Sequence, residues 1–285
     1  MKKLFLSFFL TAALTFELNA QVYTQKDVDI CDSKFQLSID KNMPSMPLSE
    51  IIVTIGKTFL GVDYEAHTLE REGEEKLVAY LEGLDCTTFL ENTLVISRCI
   101  KQYKTTFNDY LAELQKVRYR DGVINQYPSR LHYFSDWIYN NVKKGIVKDV
   151  TREAGGKKIR FNVGFMSQHP DSYRQLKENP DFIPMIARQE EEINSRDYYC
   201  IPNAKVEKAY DKIMNGDLIA ITTNLDGMDI GHVGIAVKKD NGKVYFMHAP
   251  LAGAKVQITK DPLHIYLSKV KKHTGIIVLR PLEPK

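Results

Sequence analysis

Gly231-His232-Val233-Gly234-Ile235-Ala236-Val237 and Val244-Tyr245-Phe246-Met247-His248-Ala249 are two apolar runs divided by the turn residues Asp240-Asn241-Gly242. They read as an antiparallel hairpin, with His232 opening one strand and His248 closing the next. Register decides whether the two imidazoles can cooperate. A two-residue Asn241-Gly242 loop pairs position 240 with 243, sets His248 against Ile235 and sends the histidines to opposite faces. A three-residue loop with Gly242 left-handed pairs 239 with 243. His248 then lies opposite Gly234, on the face of His232 and one diagonal step away. The residues suit both loops. A site shared by His232 and His248 requires the odd-length loop or a compensating bulge.

Around this hairpin the chain is strand-rich after Asn215, with further candidates at Leu218–Thr222, Val256–Thr259 and Gly275–Leu279. Before it, helical spacing dominates. Ser49 caps a helix carrying Ile51, Ile52, Ile55 and Phe59. A second helix starts at Asp85, a third carries Phe107, Tyr110, Leu111 and Leu114, and Ser135 caps a fourth that ends at Gly145. A further helix is expected over Pro184–Ser195. Residues 22–46, with Pro44 and Pro47, read as irregular. Helices first and antiparallel strands later make an α+β class, expected as one domain over residues 21–285.

Residues 1–20 read as a secretory signal peptide: Lys2 and Lys3, an apolar run from Leu4 to Phe16, and Ala20 at a cleavage point. The expectation is an exported, periplasmic chain with no membrane anchor. The 39 basic and 36 acidic residues leave a net charge of +3, which asks for no nucleic-acid partner. In an oxidising compartment the four cysteines, Cys31, Cys86, Cys99 and Cys200, allow two disulfides, or at most one if a catalytic thiol is kept.

Leu84-Asp85-Cys86-Thr87-Thr88-Phe89 places a thiol in a first helical turn behind the N-cap Asp85. Unpaired N–H groups and the helix dipole there favour thiolate and can hold an oxyanion, whereas Asp85 opposes the thiolate. With His232 as base and His248 orienting it, Cys86 becomes a nucleophile. The alternatives are a buried inert cysteine, a half-disulfide or a zinc site made with the two histidines.

Four blocks in order resemble the NlpC/p60 superfamily of papain-like cell-wall hydrolases: Phe59-Leu60-Gly61-Val62-Asp63-Tyr64, Asp85-Cys86-Thr87-Thr88-Phe89, Asn215-Gly216-Asp217-Leu218-Ile219, and the pair His232-Val233-Gly234-Ile235 with Phe246-Met247-His248-Ala249. Thr88 stands where that family usually has Gly. The resemblance implies a papain-like fold, N-terminal helices on a C-terminal antiparallel sheet, with a large, mostly helical insertion over about residues 100–214. It implies catalytic Cys86, His232 and His248, with Tyr64 lining the site and no cofactor or metal.

The insertion carries Arg118-Tyr119-Arg120-Asp121-Gly122, then Ser129 to Trp137, then Phe165-Met166-Ser167-Gln168-His169-Pro170. This texture resembles the N-acetylmuramoyl-L-alanine amidase-like branch, an exported group linked to peptidoglycan turnover. Arg118 and Arg130 are candidates for gripping muropeptide carboxylates, Tyr133 and Trp137 for stacking on a sugar, and Asp85 for recognising an amine. A helix face with a packed aromatic edge explains the same residues. The expected activity is cleavage of the N-acetylmuramoyl–L-alanine amide in peptidoglycan fragments by a monomer. The alternatives are a D-Glu–diamino acid endopeptidase and a non-catalytic wall-binding module.

Overall fold

The computed structural model describes residues 21–285, so the expected signal peptide lies outside the described residues. The helices α1 (Gln25–Asp40), α2 (Leu48–Lys57), α3 (Cys86–Lys101), α4 (Phe107–Arg118) and α5 (Phe134–Lys143) come first. Two short strands, β1 (Val147–Asp149) and β2 (Lys157–Ile159), follow. Next come α6 (Phe165–Gln168), α7 (Arg174–Glu178), α8 (Ile183–Ser195) and β3 (Tyr198–Pro202). The chain closes with β4 (Leu218–Thr223), β5 (Ile230–Lys238), β6 (Val244–His248), β7 (Gln257–Ile258), α9 (Leu263–Ser268) and β8 (His273–Pro281).

The strands form one antiparallel sheet in the order β2-β3-β8-β4-β5-β6-β7, with β1 also paired to β8. Alternation along β4, β5 and β8 divides its side chains between two cores. Leu218, Ala220, Val233, Ile235, Ile277 and Leu279 face α2 and α3. Ile219, Ile221, Ala236, Ile276 and Val278 face α9 and the turns around Val206–Ile213. This mixed architecture agrees with helices packed on a C-terminal antiparallel sheet. The region expected to be a mostly helical insertion differs in one respect. It also supplies β1, β2 and β3 to the same sheet.

Residues 25–40, expected to be irregular, are helical. Thr24 and Asp27 close a capping box, with Asp27 N–H donating to Thr24 Oγ1 at 3.2 Å and Thr24 N–H to Asp27 Oδ2 at 2.8 Å. Only a thin stripe of this helix is buried, including Cys31, Phe35 and Ser38. Apolar spacing is correspondingly faint, and the prolines break the chain only after the helix has ended. The fourth helix begins at Phe134 rather than after a Ser135 cap. The Ser135 N–H is instead satisfied by Asp229 Oδ2 at 2.7 Å, a partner distant in sequence.

Candidate active site

Three backbone devices bring the site together. The segment around Asp63 runs beside Gly83, with Leu84 N–H donating to Asp63 O at 3.0 Å. This sets Tyr64 next to the start of α3. Asp85 then caps α3: its Oδ1 accepts Thr88 N–H at 2.7 Å and Thr88 Oγ1 at 2.8 Å, while Asp85 N–H donates to Thr88 Oγ1 at 2.9 Å. Thr88 therefore completes a reciprocal cap that Gly could not. Cys86 is the first helical residue and half-buried.

The third device is the hairpin. Lys239 N–H donates to Lys243 O at 3.0 Å and Gly242 is left-handed (φ 74°), so the loop has three residues. Ile235 pairs with Met247 and Ala236 with Phe246, which puts His248 opposite Gly234. At the other end of β5 the pairing with β4 slips by one residue: Ile221 faces His232 and Thr222 faces Ile230. The bulge at Gly231 re-aims His232 where its strand begins. His232 Nε2 and His248 Nδ1 are 2.7 Å apart, with ring planes at 71°. A Cβ on Gly234 would sit 2.5 Å from Met247 O, so only glycine lets the two strands close at this point.

Cys86, Thr87, Gly231, His232 and Val233 line one side of a cleft of about 200 Å³. The insertion supplies the other side, through Tyr127, Leu131 to Phe134, Met166 and Tyr173. Burial, then the Asp85 charge, pushes the Cys86 thiol up to about 12, against the pull of the Val233 N–H and the Thr87 hydroxyl. The helix N-terminus was expected to favour thiolate, but desolvation prevails and the resting group is a thiol. Burial, then His248, holds His232 well below its ordinary value, and burial lowers His248 to about 3. Both imidazoles are neutral near pH 7. One must donate to the other, and a proton on His232 Nε2 leaves its Nδ1 with a free lone pair.

The remaining candidates separate. Tyr64 is half-buried beside Cys86 and Asp85, and burial, before any effect of those neighbours, raises the pKa of its hydroxyl above the ordinary value. Tyr133 lines the cleft, but its hydroxyl is engaged: it donates to Glu190 Oε1 at 2.7 Å and accepts Met166 N–H at 3.0 Å. The Asp85 carboxylate is occupied by the cap. Arg118 lies within the protein, its Nε 2.8 Å from Glu91 Oε2. Trp137 is 1% exposed, stacked on Phe134 and donating to Glu91 Oε1 at 3.0 Å. The stacking surface expected of Trp137 is thus covered, and the Arg118 guanidinium is matched by an internal carboxylate. Arg130 is likewise buried and bound to Glu70 at 2.6 Å and Glu75 at 3.4 Å.

Sequence reasoning passed over three neighbours. Tyr266 of α9 packs edge-on against His248, 5.1 Å between centroids. Asp229 ties the α5 N-terminus to the start of β5 through Ser135 N–H and Ile230 N–H, both at 2.7 Å. His132 sits in the cleft wall, in the middle of a stretch where only its neighbours drew attention. No local pattern singles out Tyr266 or Asp229, because each works through a partner far away in sequence. All four cysteines are free, so the expected disulfide does not form in this structure. Among the described residues no group of three or more His, Cys, Asp or Glu is arranged to hold a metal ion. Among them, too, no helix is long and apolar enough to cross a membrane.

Residues 54–276 match the model of a family described as AmiA-like, N-acetylmuramoyl-L-alanine amidase-like. Among solved structures, an N-acetylmuramoyl-L-alanine amidase from Bacteroides uniformis is 37% identical, with a TM-score of 0.78 over 82% of this chain and 99% of that one. A Bacteroides fragilis protein provisionally named a xylanase is 38% identical, with a TM-score of 0.75 over 80% and 99%. A Legionella pneumophila protein shares the fold at 21% identity, with a TM-score of 0.67 over 90% and 95%. No curated protein sequence matches the chain.

Proposed function

The chain belongs to the AmiA-like, N-acetylmuramoyl-L-alanine amidase-like family, and on that premise we propose that it is an exported thiol amidase of the papain-like, NlpC/p60 type. It would cleave the amide between N-acetylmuramic acid and L-alanine in soluble peptidoglycan fragments, in the periplasm and without a metal. The observation that carries the reading is the 2.7 Å contact between His232 Nε2 and His248 Nδ1, beside a cleft that His232 lines together with Cys86 at a helix N-terminus.

In this reading His232 Nδ1 takes the thiol proton as Cys86 Sγ attacks the lactyl carbonyl carbon. An S–C bond forms and the carbonyl electron pair moves onto oxygen. Free N–H groups of the first α3 turn, including that of Cys86, face the oxyanion. His248 accepts from His232 Nε2–H and holds the ring in the tautomer that can act. The intermediate collapses with C–N cleavage, and His232 returns its proton to the leaving L-alanine nitrogen. Water, deprotonated by His232, then hydrolyses the thioester and restores the thiol. Because the resting pair is neutral, proton transfer accompanies attack rather than preceding it.

The test is mass spectrometry of products from defined muropeptides, with wild type and Cys86→Ala, in the presence of a chelator. The expected products are the free sugar acid and an intact peptide led by L-alanine, absent with the variant and indifferent to chelator. Cleavage after D-Glu alone would move the enzyme to the endopeptidase class. No product dependent on Cys86 would return the chain to a wall-binding role.

A further inference from the structure

The cleft wall supplied by the insertion carries polar groups that the hydrolytic steps leave unused. Tyr127 is 1% exposed, lines the cleft, and its Oη has no hydrogen-bond partner among the described residues. Arg130 lies over the Tyr127 ring, 5.0 Å from its centroid. Glu70 lines the cleft as well. Its Oε1 is held by Arg130, whereas its Oε2 is buried and unpartnered. His132 Nε2 lies 2.9 Å from the Tyr127 carbonyl oxygen, which can only accept, so that nitrogen carries the proton and donates. With burial and the Arg130 charge keeping the ring neutral, Nδ1 is left with a lone pair. The ring is braced 4.2 Å from that of Tyr127. A buried polar atom without a partner lowers stability, so two of them beside a free acceptor in one wall call for a ligand.

The charge of the cleft narrows its chemistry. No Lys or Arg is among its described lining residues, whereas Glu70 and Asp229 are. Arg130, which borders it through Glu70, is matched in charge by Glu70 and Glu75 and donates through Nη1 to Leu69 O at 3.1 Å, while its buried Nε–H has no hydrogen-bond acceptor among the described residues. A substrate carboxylate would therefore be desolvated here beside acids, where the bordering guanidinium is already outnumbered by the carboxylates of Glu70 and Glu75. An amide, in contrast, offers an N–H to His132 Nδ1 and a C=O to the Tyr127 hydroxyl, and brings no charge up to Glu70.

We propose that Glu70, Tyr127 and His132 form an amide-binding wall that recognises an uncharged amide of the substrate next to the bond attacked by Cys86. The inference rests on the amidase reading and deepens it. The amide is either the sugar acetamido group or the peptide amide that follows L-alanine. The D-Glu–diamino acid bond, by contrast, has a carboxylate on its acyl residue. Arginine recognition of carboxylates, expected from the sequence, gives way in this cleft to neutral recognition.

The experiment measures calorimetric binding of N-acetylmuramoyl-L-alanyl-D-isoglutamine to the full-length Cys86→Ala protein, alone and combined with Tyr127→Phe, His132→Gln or His132→Asn. Tyr127→Phe removes a hydroxyl that is idle in the free protein. It is expected to weaken binding by about three- to tenfold while leaving the melting temperature unchanged or raised. His132→Gln can still donate to the Tyr127 carbonyl but offers no acceptor at the Nδ1 position, and should weaken binding similarly. His132→Asn restores an acceptor there and should recover most of the loss. Ligands N-methylated at the acetamido group or at the amide after L-alanine identify which one is bound. The methyl that weakens binding to the parent should add nothing in His132→Gln.

Undiminished binding by Tyr127→Phe and His132→Gln, methyl penalties unaltered by His132→Gln, or no binding by the parent would each overturn the wall. If the wall variants weaken binding but the Cys86-intact enzyme does not cut the muramoyl amide, the wall stands and the bond assignment falls. If that enzyme cuts the amide and the variants bind normally, the assignment stands and the wall falls.

Discussion

Removing the Glu91 carboxylate should destabilise the packing of helices behind the cleft. Glu91 lies on α3 within the protein, and its two oxygens serve Arg118 Nε on α4 at 2.8 Å and Trp137 Nε1 on α5 at 3.0 Å. One side chain thus links the helix carrying the nucleophile to two helices of the insertion. Glu91→Leu leaves the Arg118 charge buried and uncompensated, which costs about 3–5 kcal/mol. The orphaned indole N–H adds about 1 kcal/mol or more. At roughly 2–4 °C per kcal/mol for a chain of this size, the melting temperature should fall by on the order of 10 °C. Arg118→Met strands the carboxylate instead and should be comparably damaging. The double variant Glu91→Leu/Arg118→Met leaves no buried charge and should regain most of the loss, which urea unfolding of all four proteins measures as a coupling energy. An Arg118→Met protein of normal stability with a raised KM for muropeptide would refute the reasoning and return Arg118 to substrate binding.

Three further outcomes follow from the same geometry. Because the Cys86 thiol sits at about 12 and His232 is held low by burial and His248, iodoacetamide should alkylate Cys86 slowly at pH 7 and still be accelerating above pH 9; a rate plateau between pH 5 and 8 would indicate a resting ion pair instead. The buried His248 and His273 have folded values lowered to about 3 and about 4, below their unfolded ones, so they stabilise the protein above about pH 6.5 and that contribution is lost as pH falls, at up to about 1.4 kcal/mol per histidine per pH unit; urea midpoints that stay level from pH 7 to pH 5 would contradict this. Gly234→Ala sets a Cβ 2.5 Å from Met247 O and should cost about 1–3 kcal/mol in urea unfolding, with activity falling further as β6 and His248 shift; normal activity in that variant would show that the His232–His248 contact is dispensable.

The helix and strand pattern, the Asp85 cap and the antiparallel hairpin were open to reading because each is specified by residues close together in sequence. The histidines were not settled in that way. Asp240-Asn241-Gly242 is compatible with two loop lengths, and one residue of register separates a shared face from opposed faces. Closure chose the three-residue loop: Gly234 admits the Met247 carbonyl, and the Gly231 bulge turns His232 towards His248. Residues 25–40 failed to read as a helix because their buried stripe is thin and their cap is supplied by polar residues.

Sequence alone determined the residue types of the site, a thiol at a helix start and two imidazoles at strand ends, since capping and alternation are local rules. Tertiary structure alone decided their use. Whether Arg118 and Trp137 reach a ligand depends on Glu91, which stands far from both in sequence. Whether Cys86 rests as thiol or thiolate depends on how much water the folded cleft excludes. Burial and charge pairing are sums over distant neighbours, and no window of sequence contains them.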